Sequence, residues 1–241
     1  MANYVSGNII SQSYVHVDPE WLSTVSKKER AIRIAKIKED ITKFAETRIP
    51  FFISSEIRIE VEFTDGSIKA KITSYGKIIS LVGAFAVGYP SFSESVRTMV
   101  KDVHDVGSYV NSELLFQTQT KNKEERKSVE ARLGVFGTLN RVNGKINELD
   151  RITSSGNCNP SIVYNDLMVL HIDILSSLDK ISLDAIDDSD VKIAAAMWLD
   201  GINSIQLGRL QFKIQDKQDE FMYSQAVNER AEILKNLKKR I

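Results

Sequence analysis

The stretch EIRIEVEFTDGSIKAKIT, residues 56–73, decides the fold. Apolar and polar residues alternate on both sides of Asp65-Gly66, which predicts two strands that each have one buried and one solvated face. Asp-Gly is a favoured centre for a two-residue type I′ turn, because both positions of that turn need a positive φ. The stretch therefore predicts a β-hairpin over residues 57–72.

The two-residue turn also predicts the register of the hairpin. It places Glu62 opposite Lys69 and Glu60 opposite Lys71 on the solvated face, where each cross-strand pair contributes roughly 0.2–1 kcal/mol. Upstream, Tyr14–Val17 is a candidate short strand that joins the same sheet.

The composition sets limits on the class of protein. The chain has 241 residues, with 32 basic and 32 acidic side chains and no formal net charge. Binding to nucleic acid or to an anionic membrane would therefore need a local patch. Cys158 is the single cysteine, so no intramolecular disulfide forms and a reducing, cytoplasmic location is expected. The longest apolar run, residues 78–89, is too short to span a membrane, and its pattern fits a buried strand or a short helix equally well.

Helical periodicity accounts for most of the remaining chain. In the first half, Asp18-Pro19 starts a helix that runs to about Arg48 and is ended by Pro50, and a second helix covers residues 93–115. In the second half, helices are predicted over about 122–153, 161–183 and 190–240.

The helix predicted over residues 190–240 is longer than any core that this chain alone could supply. Fifty helical residues would span ~75 Å, so the helix is broken, projects from the protein or packs on another subunit. Gly201 and Gly208 mark a plausible kink.

The predicted fold class is therefore α+β. Residues 1–120 form a small antiparallel sheet, built on the hairpin, with two packed helices. Residues 121–241 form a helical hairpin or three-helix bundle, coiled-coil-like, with a long C-terminal helix. No family resemblance is evident.

Apolar residues in excess of what a small core needs suggest an interface on the last predicted helix. The candidate partner interface consists of Trp198, Ile202, Ile205, Leu210, Ile214 and Phe221.

A basic face is the second candidate surface. The helix over residues 20–38 carries six cations that could contact anionic lipid or a phosphate backbone: Lys27, Lys28, Arg30, Arg33, Lys36 and Lys38. A solvated surface helix gives the same pattern.

Each histidine has an aspartate nearby in the sequence: His16 with Asp18, His104 with Asp102 and Asp105, and His171 with Asp173. Such neighbours could bind a metal or act in acid-base chemistry. On a helix, however, residues two apart point in different directions. Cys158 lies in a Gly/Asn loop without a neighbouring base and is expected to be a surface thiol. We therefore predict no catalytic residue, no metal site and no cofactor.

The leading functional hypothesis is a non-enzymatic adaptor or accessory subunit that self-associates or docks a protein through its C-terminal helices. The first alternative is a peripheral binder of anionic membrane or nucleic acid that uses the 20–38 helix. The second alternative is a metal-dependent hydrolase that uses the His/Asp neighbours.

Overall fold

A computed structural model describes residues 8–64, 68–78, 80–81, 92–183 and 188–241, with Phe92 and Ser93 described by their backbone. The chain divides into two compact units, and the division falls between Gly137 and Thr138. The first unit contains the sheet and the second is helical. The structure confirms the predicted α+β fold class, with an antiparallel sheet followed by a helical region.

The first unit is built on a four-stranded antiparallel sheet. Its strands are β1 (Ile9–Val17), β2 (Arg58–Thr64), β3 (Ile68–Tyr75) and β4 (Arg126–Arg132), in the spatial order β2-β3-β1-β4. With one long helix after β1 and another after β3, this is the β-α-β-β-α-β arrangement of ferredoxin-like folds. The predicted strand at Tyr14–Val17 exists, but it is part of a longer, central strand.

The hairpin exists, but its predicted register is wrong. Thr64 pairs with Lys69 and Glu62 pairs with Lys71, where Lys71 Nζ lies 2.7 Å from Glu62 Oε1. The connection is therefore two residues longer than the predicted turn, and its residues 65–67 lie outside the described residues. A shift of two residues keeps every side chain on its predicted face, which is why the alternation still identified the buried side.

The described part of the first unit includes two long helices and one short helix with complete bounds. They are α1 (Trp21–Thr24), α2 (Lys27–Phe52) and α3 (Phe92–Gln117). The predicted helix from residue 19 is interrupted, because Ser26 begins a new helix by accepting a hydrogen bond from the Glu29 amide. Pro50 does not end α2 but lies inside its last turn, where only one intrahelical bond is lost.

One face of the sheet is buried and polar contacts join it to α3. Val15, Ala70 and Ile72 are buried on this face, and the Ser13 hydroxyl donates to the Gly107 carbonyl of α3 at 3.1 Å. The opposite face carries the solvated charges, such as Glu62 and Lys71.

Residues 122–133 were predicted to be helical, and this was wrong. Residues Arg126–Arg132 form β4, which pairs with β1, and the helix begins only at Gly134. This strand brings the first unit past the predicted boundary at residue 120. The amide groups of Lys121 and Asn122 donate to the Glu125 carboxylate just before β4, and these bonds lower the pKa of Glu125.

The described residues of the second unit form four helices and a short connection. The helices are α4 (Gly134–Ser154, which begins at the end of the first unit), α5 (Pro160–Ser182), α6 (Ser189–Ser204) and α7 (Lys217–Lys238). Of the three alternatives predicted for the long third helix, the structure shows the broken helix, and Gly208 lies in the connection. Gly201, the other predicted kink, lies inside α6, where Ile146 of α4 packs against it.

The end of the chain folds back on its own unit. Helix α7 packs on α5 and α6 and buries Ala226, Ile233 and Leu237. Of the apolar run 78–89, Ile78 and Leu81 are buried and helical, while residues 79 and 82–89 lie outside the described residues.

Candidate functional site

The structure divides the six predicted interface residues into two groups. Trp198, Ile202 and Ile205 are buried, at most 2% exposed, so a partner cannot reach them and the prediction is corrected for these three. Leu210 is 96% exposed on a 3-10 turn and Phe221 is 57% exposed on the first turns of α7. Ile214 is half-buried in the connection between α6 and α7.

The predicted basic face is not one face. Arg30 is half-buried and the other five cations are exposed, but successive residues of a helix are about 100° apart, so the six surround the first turns of α2. Arg33 lies 3.2 Å from Glu29 and its guanidinium stacks over Trp21 at 5.4 Å. Binding of anionic lipid or nucleic acid by this helix stays a prediction, without a concentrated cationic surface to support it.

The predicted His/Asp neighbours do not form a common site. His171 Nδ1 lies 2.5 Å from Glu229 Oε1 of α7, whereas Asp173 pairs with Lys145 of α4. His104 and Asp105 are both exposed, with 3.6 Å between His104 Nδ1 and Asp105 Oδ1. Within the described ranges, no group of three His, Cys, Asp or Glu side chains could hold a metal ion. These residues therefore offer no set of metal ligands to support the hypothesis of a metal-dependent hydrolase.

Cys158 is buried, which corrects the expectation of a surface thiol. Its thiol donates to the Ile152 carbonyl at 3.0 Å, and burial raises the pKa of the thiol. Its backbone pairs with the α6–α7 connection through the Gln211 carbonyl at 2.8 Å and the Lys213 amide at 2.9 Å. Cys158 therefore anchors this connection and is poorly suited to be a nucleophile.

Helix α5 has two apolar faces. One face is buried in the helical unit and includes Val163, Leu167, Leu170, Ile174 and Leu178. The other face points to solvent on the opposite side of the helix. It carries Ile162, Met168, Val169 and Ile172, which are 56, 39, 50 and 64% exposed. We call these four residues the outward stripe of α5.

A groove between α4 and α5 borders the outward stripe. It has a volume of about 300 Å³ and an apolar floor at Leu149 and Val169. Gly144 widens it, because a Cβ at this position would meet no heavy atom within 4 Å. The charged residues that line the groove are Arg141, Lys145, Glu148 and Asp166.

The charges at the groove are largely compensated within the chain. Asp173 of α5 pairs with Lys145 and lies 4.0 Å from Arg141. Glu148 pairs with Arg151 at 2.6 Å, and these hydrogen bonds lower the pKa of Glu148. The groove is thus an apolar slot with a neutralised rim, which is the chemistry that accepts one face of an amphipathic helix.

The sequence pattern contains a signal for this surface that the prediction of one apolar stripe per helix does not use. A helix that packs on a core needs one apolar stripe, and α5 satisfies it with the buried set alone. The extra Ile162, Val169 and Ile172 on the opposite side were available from the helical periodicity. By length and composition, α5 is also the helix in the described part of the chain that could cross a membrane. A third of that span is buried inside the structure. The buried face and the outward stripe together account for the apolar composition of α5.

Comparison with known proteins found no match to a protein-family model, to a curated protein or to a solved structure.

Proposed function

We propose that the protein is a non-enzymatic interaction protein, a cytoplasmic adaptor or accessory subunit, that docks a partner protein or a second copy of itself through its helical unit. The observation that carries the proposal is the outward stripe of α5. Three of its four side chains are half or more exposed, although an ordinary surface helix places polar residues on that side.

The neighbouring groove supports a helical ligand. An amphipathic helix that binds a groove inserts apolar side chains at positions i, i+3, i+4 and i+7. The open space at Gly144 and the apolar floor at Leu149 and Val169 would receive one such side chain. Exposed apolar patches of this kind mark interaction sites in soluble proteins.

The proposed interface lies on α5 and not on the helix predicted over residues 190–240. Trp198, Ile202 and Ile205 stabilise the core of this chain, so their apolar character needs no partner. Leu210 and Phe221 remain exposed and could extend the docking surface, but each lies outside a continuous stripe.

Site-specific photocrosslinking in the cell of origin tests the proposal. A photoreactive amino acid at position 172 should give discrete covalent adducts with protein. The same amino acid at Asn228, an exposed position of α7, is the matched control and should give few. An absence of adducts at position 172 above the control, with both variants folded, contradicts the proposed function.

A further inference from the structure

A small polar pocket lies in the first unit, between the start of α2 and the end of α3. Its volume is about 230 Å³, which is below the roughly 300–1,000 Å³ of pockets for drug-sized ligands and suits a small metabolite. The residues that line it come from α1, α2 and the end of α3, all within the first unit: Trp21, Lys36, Ile37, Asp40, Gln117 and Gln119.

The aromatic wall of the pocket is fixed by contacts within the chain. The Trp21 indole N–H donates to the Thr118 carbonyl at 2.8 Å, and the guanidinium of Arg33, which also lines the pocket, lies 5.4 Å from the centre of the Trp21 ring. Arg33 pairs with Glu29 at 3.2 Å, so its charge is already compensated. A wall that is ordered before a ligand arrives lowers the entropic cost of binding.

Two opposite charges in the pocket are left without partners. Lys36 and Asp40 are four residues apart on α2, so their Cβ atoms lie about 5–6 Å apart on the same face of the helix. They do not pair with each other, and among the residues that the structure describes neither side chain makes a hydrogen bond or an ion pair. Asp40 is half-buried, so its carboxylate loses part of its hydration without compensation inside the chain. A ligand that carries a cation would supply that compensation.

We propose that this pocket binds a small zwitterion, an α-amino acid, with its ammonium against Asp40 and its carboxylate against Lys36. Two protein charges one helical turn apart suit ligand charges that share a single carbon. The buried Ile37 and the Trp21 ring would contact the side chain of the amino acid. Gln119, exposed at the rim, offers it an amide donor and an amide acceptor.

The charges of the pocket select a zwitterion over a simple ion. An anion that binds Lys36 would lie beside the Asp40 carboxylate, and a cation that binds Asp40 would lie beside Lys36 and Arg33. Only a ligand that carries both signs meets an attractive partner at each charge. The inference is independent of the outward stripe of α5, which belongs to the second unit.

Trp21 reports binding directly. The chain has two tryptophans, and Trp198 is fully buried in the second unit, so a ligand in the pocket changes the fluorescence of Trp21 alone. The full chain is titrated with each non-aromatic amino acid separately, up to about 10 mM, which detects millimolar dissociation constants. Acetate and methylammonium, which carry one charge each, are the comparison probes.

We expect a saturable change in emission with at least one amino acid, and about tenfold weaker binding of acetate and methylammonium. Asp40→Asn and Lys36→Met should each weaken binding of that amino acid by about tenfold or more, because each removes a charge-assisted contact. Glu39→Gln and Lys38→Met are the matched controls. Glu39 and Lys38 are exposed neighbours on α2, and binding to these variants should stay within about twofold of the unmodified chain.

Several outcomes overturn the inference. Saturation by none of the amino acids removes the ligand class. Acetate that binds as tightly as the amino acid makes the pocket an anion site, and methylammonium that does so makes it a cation site. Equal losses in Asp40→Asn and Glu39→Gln, or an emission change that persists in Trp21→Phe, place the ligand elsewhere. Photocrosslinking from position 172 is unaffected by each of these results, so this inference and the proposed function fail separately.

Discussion

At Gly134, a side chain would collide with the backbone of β1. Gly134 is the first residue of α4 and has a φ of +26°. A Cβ at this position would overlap the Ile9 carbonyl oxygen and lie 2.6 Å from the Ile10 carbonyl oxygen of β1. The close approach of backbone to backbone requires glycine here.

We predict that Gly134→Ala lowers the free energy of unfolding by about 2 kcal/mol or more, because backbone atoms cannot move aside as a flexible side chain can. Gly144→Ala in the same helix is the matched control. It meets open space and should stabilise α4 by about 0.5–1 kcal/mol. Urea denaturation followed by circular dichroism measures both, and equal effects of the two substitutions would contradict the account.

Cys158 gives a prediction about pH. Burial raises the pKa of its thiol, so the folded protein holds the thiol proton more tightly than the unfolded chain does. The contribution of this group to stability is fully present below the pKa of the unfolded thiol. It is lost as pH rises towards the folded pKa.

The native thiol should therefore react slowly with a disulfide reagent at pH 7 to 8 and quickly once the chain is unfolded in guanidinium. The free energy of unfolding of Cys158→Ser should fall less at alkaline pH than that of the unmodified chain. Rapid, complete labelling of the native chain would contradict the buried position.

At the scale of elements, a polar clasp holds α7 against α5. His171 of α5 lies between two α7 residues, with Nδ1 2.5 Å from Glu229 Oε1 and Nε2 3.0 Å from Asn236 Nδ2. The His171 and Glu229 side chains are 17 and 21% exposed. Hydrogen bonds to charged groups in such partly buried positions contribute about 1.5–3 kcal/mol.

Glu229→Gln should therefore destabilise the packing of α7 by about 1–2 kcal/mol at neutral pH, because the amide is a weaker acceptor than the carboxylate. Glu232→Gln is the control, since Glu232 is exposed and pairs with Lys235 within one helix, where the effect should stay within about 0.5 kcal/mol. Amide hydrogen exchange along α7 distinguishes the two variants. Equal exchange in both would show that the clasp does not hold the helix.

Most elements could be predicted from the sequence because local patterns determine them. The alternation around Asp65-Gly66 identified β2 and β3, and Asn159-Pro160 marked the start of α5, where the Asn159 side chain accepts from the Ser161 amide. The failures have non-local causes. Arg126–Arg132 became a strand because β1 offers it a pairing edge, and no residue within the segment reveals that edge.

The candidate site was harder to predict for a related reason. Apolar periodicity shows that Trp198 and Ile202 share a face, but only the chain path shows that α7 folds back and helps to form a core with them. For α5, helical periodicity predicts the buried stripe first. The second stripe, with Ile162 and Ile172, is visible only when each apolar residue is assigned to a face.

In the whole molecule, the proposed docking surface belongs to the helical unit alone. The sheet unit contains β1–β4 with α2 and α3, and the helical unit presents the outward stripe and the groove of α4 and α5. Truncation at Gly208 would remove α7, including Ile233 and Leu237, and would expose the core residues that these side chains cover. Point substitution on α5 is therefore the cleaner way to test association.

The most direct measurement is the solution mass of the full chain across a concentration series, by sedimentation equilibrium, for the unmodified protein and for Ile172→Glu. If the partner is a second copy, the unmodified chain forms a reversible dimer that persists in high salt, because contacts between apolar side chains are not weakened by ionic screening. Ile172→Glu is then a folded monomer, because a charge in the outward stripe is costly to bury without an opposite charge to pair with it. A strict monomer at every concentration, or an unchanged dimer in the Ile172→Glu variant, would contradict self-association through α5.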